Sequence, residues 1–339
     1  MNNNKQYKRL SFNEREEISI MLWNGSTFSE IANYLDRSIS TISREVNNNC
    51  LYKRCYRAVS AQNKAKDIRH RAKQIKIIDG NDELKEYVFK FLKQKWSPEE
   101  IANRLKVDYP EDKHMKISHE SIYTYIYCLP RGSLKKELLK CLRQKRKFRH
   151  SRKNVHAKRS SIVDAISISE RPKETESRTI AGHWEGDLIV GKDHASALGT
   201  LVERTTRYTI LVPLKEKDAE AVRIAFSKAV KKIPRYLKKT LTYDRGLEMA
   251  QHKLFTQDTK IQVYFADPHS PWQRGTNENT NGLIRQYFPK GTDFNNISGK
   301  EIQFAQDELN NRPRKVLNFY KPDEIFSKLM IDQNFALAG

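Results

Sequence analysis

Along residues 10–47 the apolar positions recur at helical spacing and are interrupted twice. Ser11 with Glu14 three residues later has the form of a capping box, and Ile18 and Leu22 extend an apolar stripe as far as Gly25. Ser29–Leu35 follows, then the tight Asp36-Arg37-Ser38, then Ile39–Val46. This spacing predicts three short helices. Ile31, Leu35, Ile39, Ile42 and Val46 fall on one buried side, and Ser38, Ser40, Thr41, Ser43 and Arg44 face outward. Two short helices joined by a tight turn, the second with a polar outer face, form a helix-turn-helix. Hydroxyls and backbone amides at a helix start suit phosphate and base-edge contacts. A helical hairpin packed inside a larger core would not need so polar an outer face.

The pattern partly repeats. Ser97–Leu105 echoes Glu30–Leu35, again after a tryptophan (Trp96, as Trp23 before), and Ile117–Tyr127 restores the second helix with Ile122 and Ile126. A second helix-turn-helix with a longer turn is expected at 96–130, although its aromatic content also fits a packing role. Two basic connectors flank it. Residues 52–76 carry nine Lys/Arg against one acid, with Tyr52 and Tyr56 interleaved among Lys53, Arg54 and Arg57. Residues 131–160, which include Arg146, Lys147 and Arg149, carry thirteen against Glu137 alone, too charged a stretch to pack. It is expected to lie along phosphates as an extended or loosely helical linker.

From about residue 179 the period changes. Thr179–Val190, Ala197–Val202 and Tyr208–Leu214 predict an antiparallel meander. A helix is expected over 218–232 through Ala221, Ile224, Ala225 and Ala229, then strands at Thr240–Asp244 and Ile261–Ala266, then a helix over 276–287. Three strands followed by alternating helix and strand indicate a mixed-sheet α/β domain. The expected division is 1–50, 51–95, 96–130, 131–175 and 176–339.

Charge sharpens this division. The 339 residues carry a net charge of +22, of which +18 falls in residues 1–160 and +4 in the remainder. A solubilising surface would scatter such an excess, whereas its concentration in one half points to nucleic acid. No apolar run reaches the roughly 18 residues of a membrane span. The amino-terminal run lacks the apolar core of a secretory signal, so a cytosolic protein is expected. Cys50, Cys55, Cys128 and Cys141 have no zinc-ligand spacing and are expected as reduced thiols.

Three carboxylates stand where solvation does not explain them. Asp187 interrupts an apolar strand, where a carboxylate needs a partner. Asp244 ends the next strand ahead of Arg245-Gly246, and taken alone it reads as a turn residue. Glu278 follows with 33 residues between, near a helix start, where alone it would serve the helix dipole. Its helical face continues through Asn281, Gly282 and Arg285. Glu185, Glu248, Asp267 and Asp293 lack this combination of strand-end position and shared context. Together the three would form an oxygen-ligand site for Mg²⁺ or Mn²⁺, with two ions suited to phosphodiester displacement.

The runs Gly182–Ile189, Thr242–Ala250, Phe265–Leu283 and Leu309–Leu317 closely resemble the DDE transposases of bacterial insertion sequences of the IS-thirty family, and the resemblance covers nearly the whole chain. It implies helix-turn-helix modules ahead of a ribonuclease-H-like integrase core with a mixed five-stranded sheet. It also implies that Asp187, Asp244 and Glu278 are the metal-binding catalytic triad and that Arg285 touches DNA ends. Its partners would be the terminal inverted repeats and target DNA, with at least a homodimer during joining. Trp272, Gln273 and Arg274, just ahead of the Glu278 helix, are candidates for contact with an unpaired end. His183, His252 and His269 are candidates for DNA or supporting contacts. A helix-turn-helix repressor with an inactive second domain, or a site-independent nuclease, are the competing readings.

Overall fold

The computed structural model of the chain describes residues 9–142, 162–214, 216–268 and 270–336. Arg146, Lys147, Arg149 and His269 lie outside the described residues. In chain order the first helices are α1 (Phe12–Trp23), α2 (Phe28–Tyr34), α3 (Ile39–Asn49), α4 (Ala58–Asp79), α5 (Asp82–Lys93), α6 (Pro98–Asp108), α7 (His119–Cys128), α8 (Ser133–Cys141) and the short α9 (Glu174–Ser177). Two compact units result. One holds the chain up to Lys85 together with Glu120–Arg131, and the other holds Glu86–His119 and the chain from Gly132 on. The segment 96–130 is thus shared, with α6 in the second unit and nearly all of α7 in the first.

The first unit follows its capping chemistry. Ser11 and Glu14 form the expected capping box, Thr27 and Glu30 form another at the start of α2, and the Ser38 hydroxyl accepts from the Thr41 amide at the start of α3. Ile18, Leu22, Ile31, Ile42, Val46 and Tyr56 close the core between them. Arg15 is buried with them, its Nε donating 2.7 Å to Glu45, which also accepts from the Tyr56 hydroxyl at 3.0 Å. Tyr56 therefore belongs to the core, while Tyr52, Lys53, Arg54 and Arg57 are exposed. Ile39 does not take the buried position expected of it. It opens α3 on the outer side and is 51% exposed, because a first-turn residue has no preceding turn to pack against.

The second unit is built on a five-stranded sheet in the order β3-β2-β1-β4-β5, comprising β1 (His183–Val190), β2 (Ala197–Glu203), β3 (Thr209–Leu214), β4 (Thr240–Tyr243) and β5 (Gln262–Phe265). The first three strands pair antiparallel, and β4 and β5 extend the sheet in parallel from β1. This is the expected mixed sheet. Helices α10 (Ala219–Val230), α11 (His252–Thr259), α12 (Gly275–Ile284), α13 (Gly299–Asn310) and α14 (Pro322–Ala336) complete the unit. Strand alternation sends Leu201, Val212, Leu241 and Phe265 into one core with Phe226 and Phe255, and sends Leu198 and Leu211 into a second core with Leu283 and Ile302. Helix α10 buries Val222, Phe226 and Val230 rather than the Ile224 stripe, and Ile224 is 52% exposed. The larger side chains decide which face is buried.

Two further expectations are corrected. The basic stretch after residue 130 packs at its start, where α8 buries Leu138 completely at a helical position its lysines leave free. The tryptophan echo is not structural, because Trp23 is exposed and Trp96 is buried against Phe91. What repeats is the capping box, Ser97 with Glu100, two residues after a left-handed residue: Lys95 in the second copy, Gly25 in the first. Helix α6 is then held by charge. Glu99 pairs with Lys315, Glu100 with the fully buried Arg312, and Arg104 with Glu324, at 2.7, 2.9 and 2.6 Å.

Candidate active site

Strand β1 pairs in parallel with β4, Glu185 lying opposite Thr242. Continuing that register by two residues brings Asp187, inside β1, level with Asp244, which directly follows the last residue of β4. Gly186 permits the approach, since a Cβ there would stand 2.7 Å from the Tyr243 ring. Arg274 joins the two carboxylates. Its Nη1 lies 3.4 Å from Asp187 Oδ1 and its Nη2 lies 3.1 Å from Asp244 Oδ2, and it also donates to the Gly186 carbonyl. A cleft of about 230 Å³ beside them is lined by Asp244, Arg245, Asp267, Ser270, Pro271 and Arg274.

The electrostatics follow from this crowding. Burial raises the Asp187 pKa, the Arg274 cation opposes that, and the Asp244 charge pushes it up again. Burial disfavours the Arg274 cation, but the charges of Asp187 and Asp244 outweigh it and hold the group above its ordinary value. Glu248 shares the region, and its carboxyl is raised by burial and by Asp244 and Asp187. Two half-buried carboxylates sharing one cation form an oxygen donor set that fits a hard divalent ion. The third carboxylate stands apart. Glu278 is exposed on α12, and among the described residues no three His, Cys, Asp or Glu side chains gather closely enough to hold a metal.

Helix α12 is fastened to β1 by residues that flank Glu278. Glu185, fully buried, accepts from the Asn277 amide at 2.9 Å and pairs with Arg204 at 3.1 Å. Thr200 Oγ1 donates to the Asn277 side chain, and Asn281 Nδ2 donates to Asp187 Oδ2 at 2.7 Å. Glu185, weighed in the sequence and set aside in favour of Asp187, shares the strand face of Asp187 two residues away. The sequence marks the Asn281 position only as part of the Glu278 face.

The remaining candidates separate. Trp272 is exposed in the turn that precedes α12, whereas Gln273 is bonded to Asp267 through both its amide atoms. Arg285 donates to the carbonyls of Val190, Phe288 and Pro289. His183 is buried between Thr240 and Thr175, and His252 is buried beside Phe265. Around α3, Ser38, Ser40 and Arg44 are exposed and Thr41 and Ser43 half-exposed.

Two family descriptions match the chain: a helix-turn-helix domain over residues 6–49 and an integrase core domain over residues 179–271, which includes Asp187 and Asp244. The chain is 41% identical over 325 residues to the transposase for insertion sequence element IS1086 of Cupriavidus metallidurans, covering 96% of each chain. It is 43% identical over 322 residues to the transposase InsI for IS30A of Escherichia coli, covering 94% of this chain and 83% of that one. It is 34% identical to the transposase for IS4351 of Bacteroides fragilis, over 98% and 99% of the two chains. Sharing a helix-turn-helix, an integrase core and nearly its full length with these proteins, the chain belongs to the IS30 family of insertion-sequence transposases.

Proposed function

We propose that this transposase binds the terminal inverted repeats of its element and catalyses metal-dependent cleavage and transfer of DNA strands, with Asp187, Asp244 and Glu278 as the catalytic carboxylates. The observation that carries the reading is the pairing of Asp187 and Asp244 on a single cation while α12, which bears Glu278, is bonded to Asp187 through Asn281. One or two Mg²⁺ or Mn²⁺ ions held there would activate the attacking oxygen and stabilise the leaving one. The protein side chains supply position. Asn281 fixes the Asp187 carboxylate, Glu185 fixes the first turn of α12, and Arg274 balances the paired charges until an ion replaces it.

In this reading α3 meets the element ends through Ser38, Ser40, Thr41, Ser43 and Arg44. Lys53, Arg54 and Arg57, with the basic run that contains Arg146, Lys147 and Arg149, add affinity along the backbone. Segments 1–50, 51–95, 96–130, 131–175 and 176–339 serve in turn as reader, connector, second module, linker and core. Arg274, and Arg285 at the end of α12, face the end being processed. Joining two ends calls for a dimer or larger assembly, acting in the cytoplasm on the bacterial nucleoid. No helix among the described residues is long and apolar enough to cross a membrane.

A supercoiled plasmid carrying matched inverted repeats tests the proposal. With Mg²⁺ it should be cleaved at the repeats and yield joined products. Binding without cleavage in Mg²⁺ or Mn²⁺ would favour a repressor, and nicks without joining a nuclease.

A further inference from the structure

Helix α12 has a second charged neighbourhood. Thr276, Asn279 and Thr280, at helical spacing on a face distinct from that of Glu278 and Asn281, line a cavity of about 160 Å³ with Arg178, Arg207 and Arg314. Elsewhere in this unit Arg204 pairs with Glu185, Arg312 with Glu100, Arg104 with Glu324 and Arg274 with the two aspartates. Among the described residues no carboxylate lines this cavity.

Two of the three arginines are held by hydrogen bonds of the fold. Arg207 Nη1 donates 2.6 Å to Thr276 Oγ1, and its Nε is buried with no hydrogen-bond partner. Arg314 is buried, its Nη2 donating to the Leu309 carbonyl at 2.9 Å. Arg178 and Arg207 both adopt left-handed backbone conformations, at φ +56° and +64°, which L residues rarely take. Burial and then the Arg178 charge lower the Arg207 pKa to about 10. An anion in the cavity would relieve both effects.

We propose that this cavity binds a backbone phosphate of the DNA, with Arg178, Arg207 and Arg314 as its cationic walls and Thr276 and Asn279 as polar contacts. The inference rests on the catalytic reading of α12 and adds a grip beside it. Planar guanidinium groups suit a phosphate's paired oxygens. A helix is about 10–12 Å across with its side chains, so the phosphate held lies roughly two to four nucleotides from the one cleaved.

The test is DNA affinity in full-length protein carrying D187N, so that DNA is held and not cut. R178Q and R207Q are each compared with that parent across a salt series on a duplex bearing the terminal repeat. Each substitution should lower the slope of log affinity against log salt by about one. Replacing the phosphates two to four positions from the cleavage point by methylphosphonates should erase the difference between R178Q and the parent. Arg178 is exposed, so R178Q keeps the test valid if R207Q destabilises the fold. A full salt slope in folded R178Q, or a loss unaffected by methylphosphonates, would overturn the proposal. Because the readout is binding, absence of cleavage by the unsubstituted protein would count against the catalytic reading alone.

Discussion

Asn281 donates a 2.7 Å hydrogen bond to the carboxylate of Asp187 from one turn beyond Glu278. A single amide thereby ties the helix bearing one candidate carboxylate to the strand bearing another. Groups that orient a metal-binding carboxylate typically matter 10–100-fold in activity or metal affinity. N281A should lower cleavage within that range and raise the Mg²⁺ concentration needed, with DNA affinity unchanged. Cleavage at the wild-type rate across a Mg²⁺ titration would remove Asn281 from the site.

Arg274 is the cation that Asp187 and Asp244 share, and in the proposed reading a divalent ion displaces it. R274Q should lower the melting temperature in chelator, because two close carboxylates lose their counter-charge. Mn²⁺ should then raise it more than in wild type. A tenfold tighter ion adds about 1.4 kcal/mol of stabilisation at saturating metal. Equal Mn²⁺ shifts in the two proteins would show that Arg274 and the ion do not compete.

These two relationships mark the limit of what the sequence discloses. Asp187 and Asp244 are legible because a carboxylate inside an apolar strand and one at a strand end both violate local preference. The strand pattern, the meander and the three amino-terminal helices are equally local, resting on alternation, capping residues and helical spacing. The Asp187–Asn281 bond and the Arg274 contacts to Asp187 and Asp244 join residues 94, about 90 and 30 positions apart, and no local rule pairs them. Ile39 and Ile224 take exposed positions although their periodicity allows burial: Ile39 opens α3 with no preceding turn to pack against, and the bulk of Val222 and Phe226 turns Ile224 outward. Glu185 reads in the sequence as an ordinary acid, because the start of α12 that rests on it lies 92 positions away.

The clamp on α6 makes a stability prediction. Arg312 is fully buried and its charge is met by Glu100. E100A should cost about 3–5 kcal/mol, since it strands a buried cation, and E100Q less. Urea denaturation of the full chain reads the difference. A cost below 1 kcal/mol for E100A would mean that water reaches Arg312.

His183 should set an acid limit on stability. Burial first, and the nearby Lys239 charge next, hold its pKa below the ordinary value of 6.5. The unfolded chain therefore binds a proton the folded one refuses. The stabilisation is complete above about pH 6.5 and falls as the pH drops toward the folded-state value, by at most about 1.4 kcal/mol per pH unit. H183N should flatten this part of the stability profile. An unchanged slope would assign the acid limit to other groups.

Recognition by α3 is tested through Arg44, exposed on its outer face. R44A should weaken binding to the terminal repeat, by about 1–3 kcal/mol if it reads a base. A contact to phosphate alone would instead weaken all duplexes alike. An unchanged footprint would move recognition away from α3.

Strand transfer by D187N, D244N and E278Q, assayed with a pre-cleaved repeat end, a target duplex and Mg²⁺, tests the three-carboxylate site. Glu278 decides the matter, because it stands apart from the other two carboxylates. All three variants should bind the repeat end with parental affinity, and none should join it to the target. Joining by E278Q at the parental rate would contradict a three-carboxylate site.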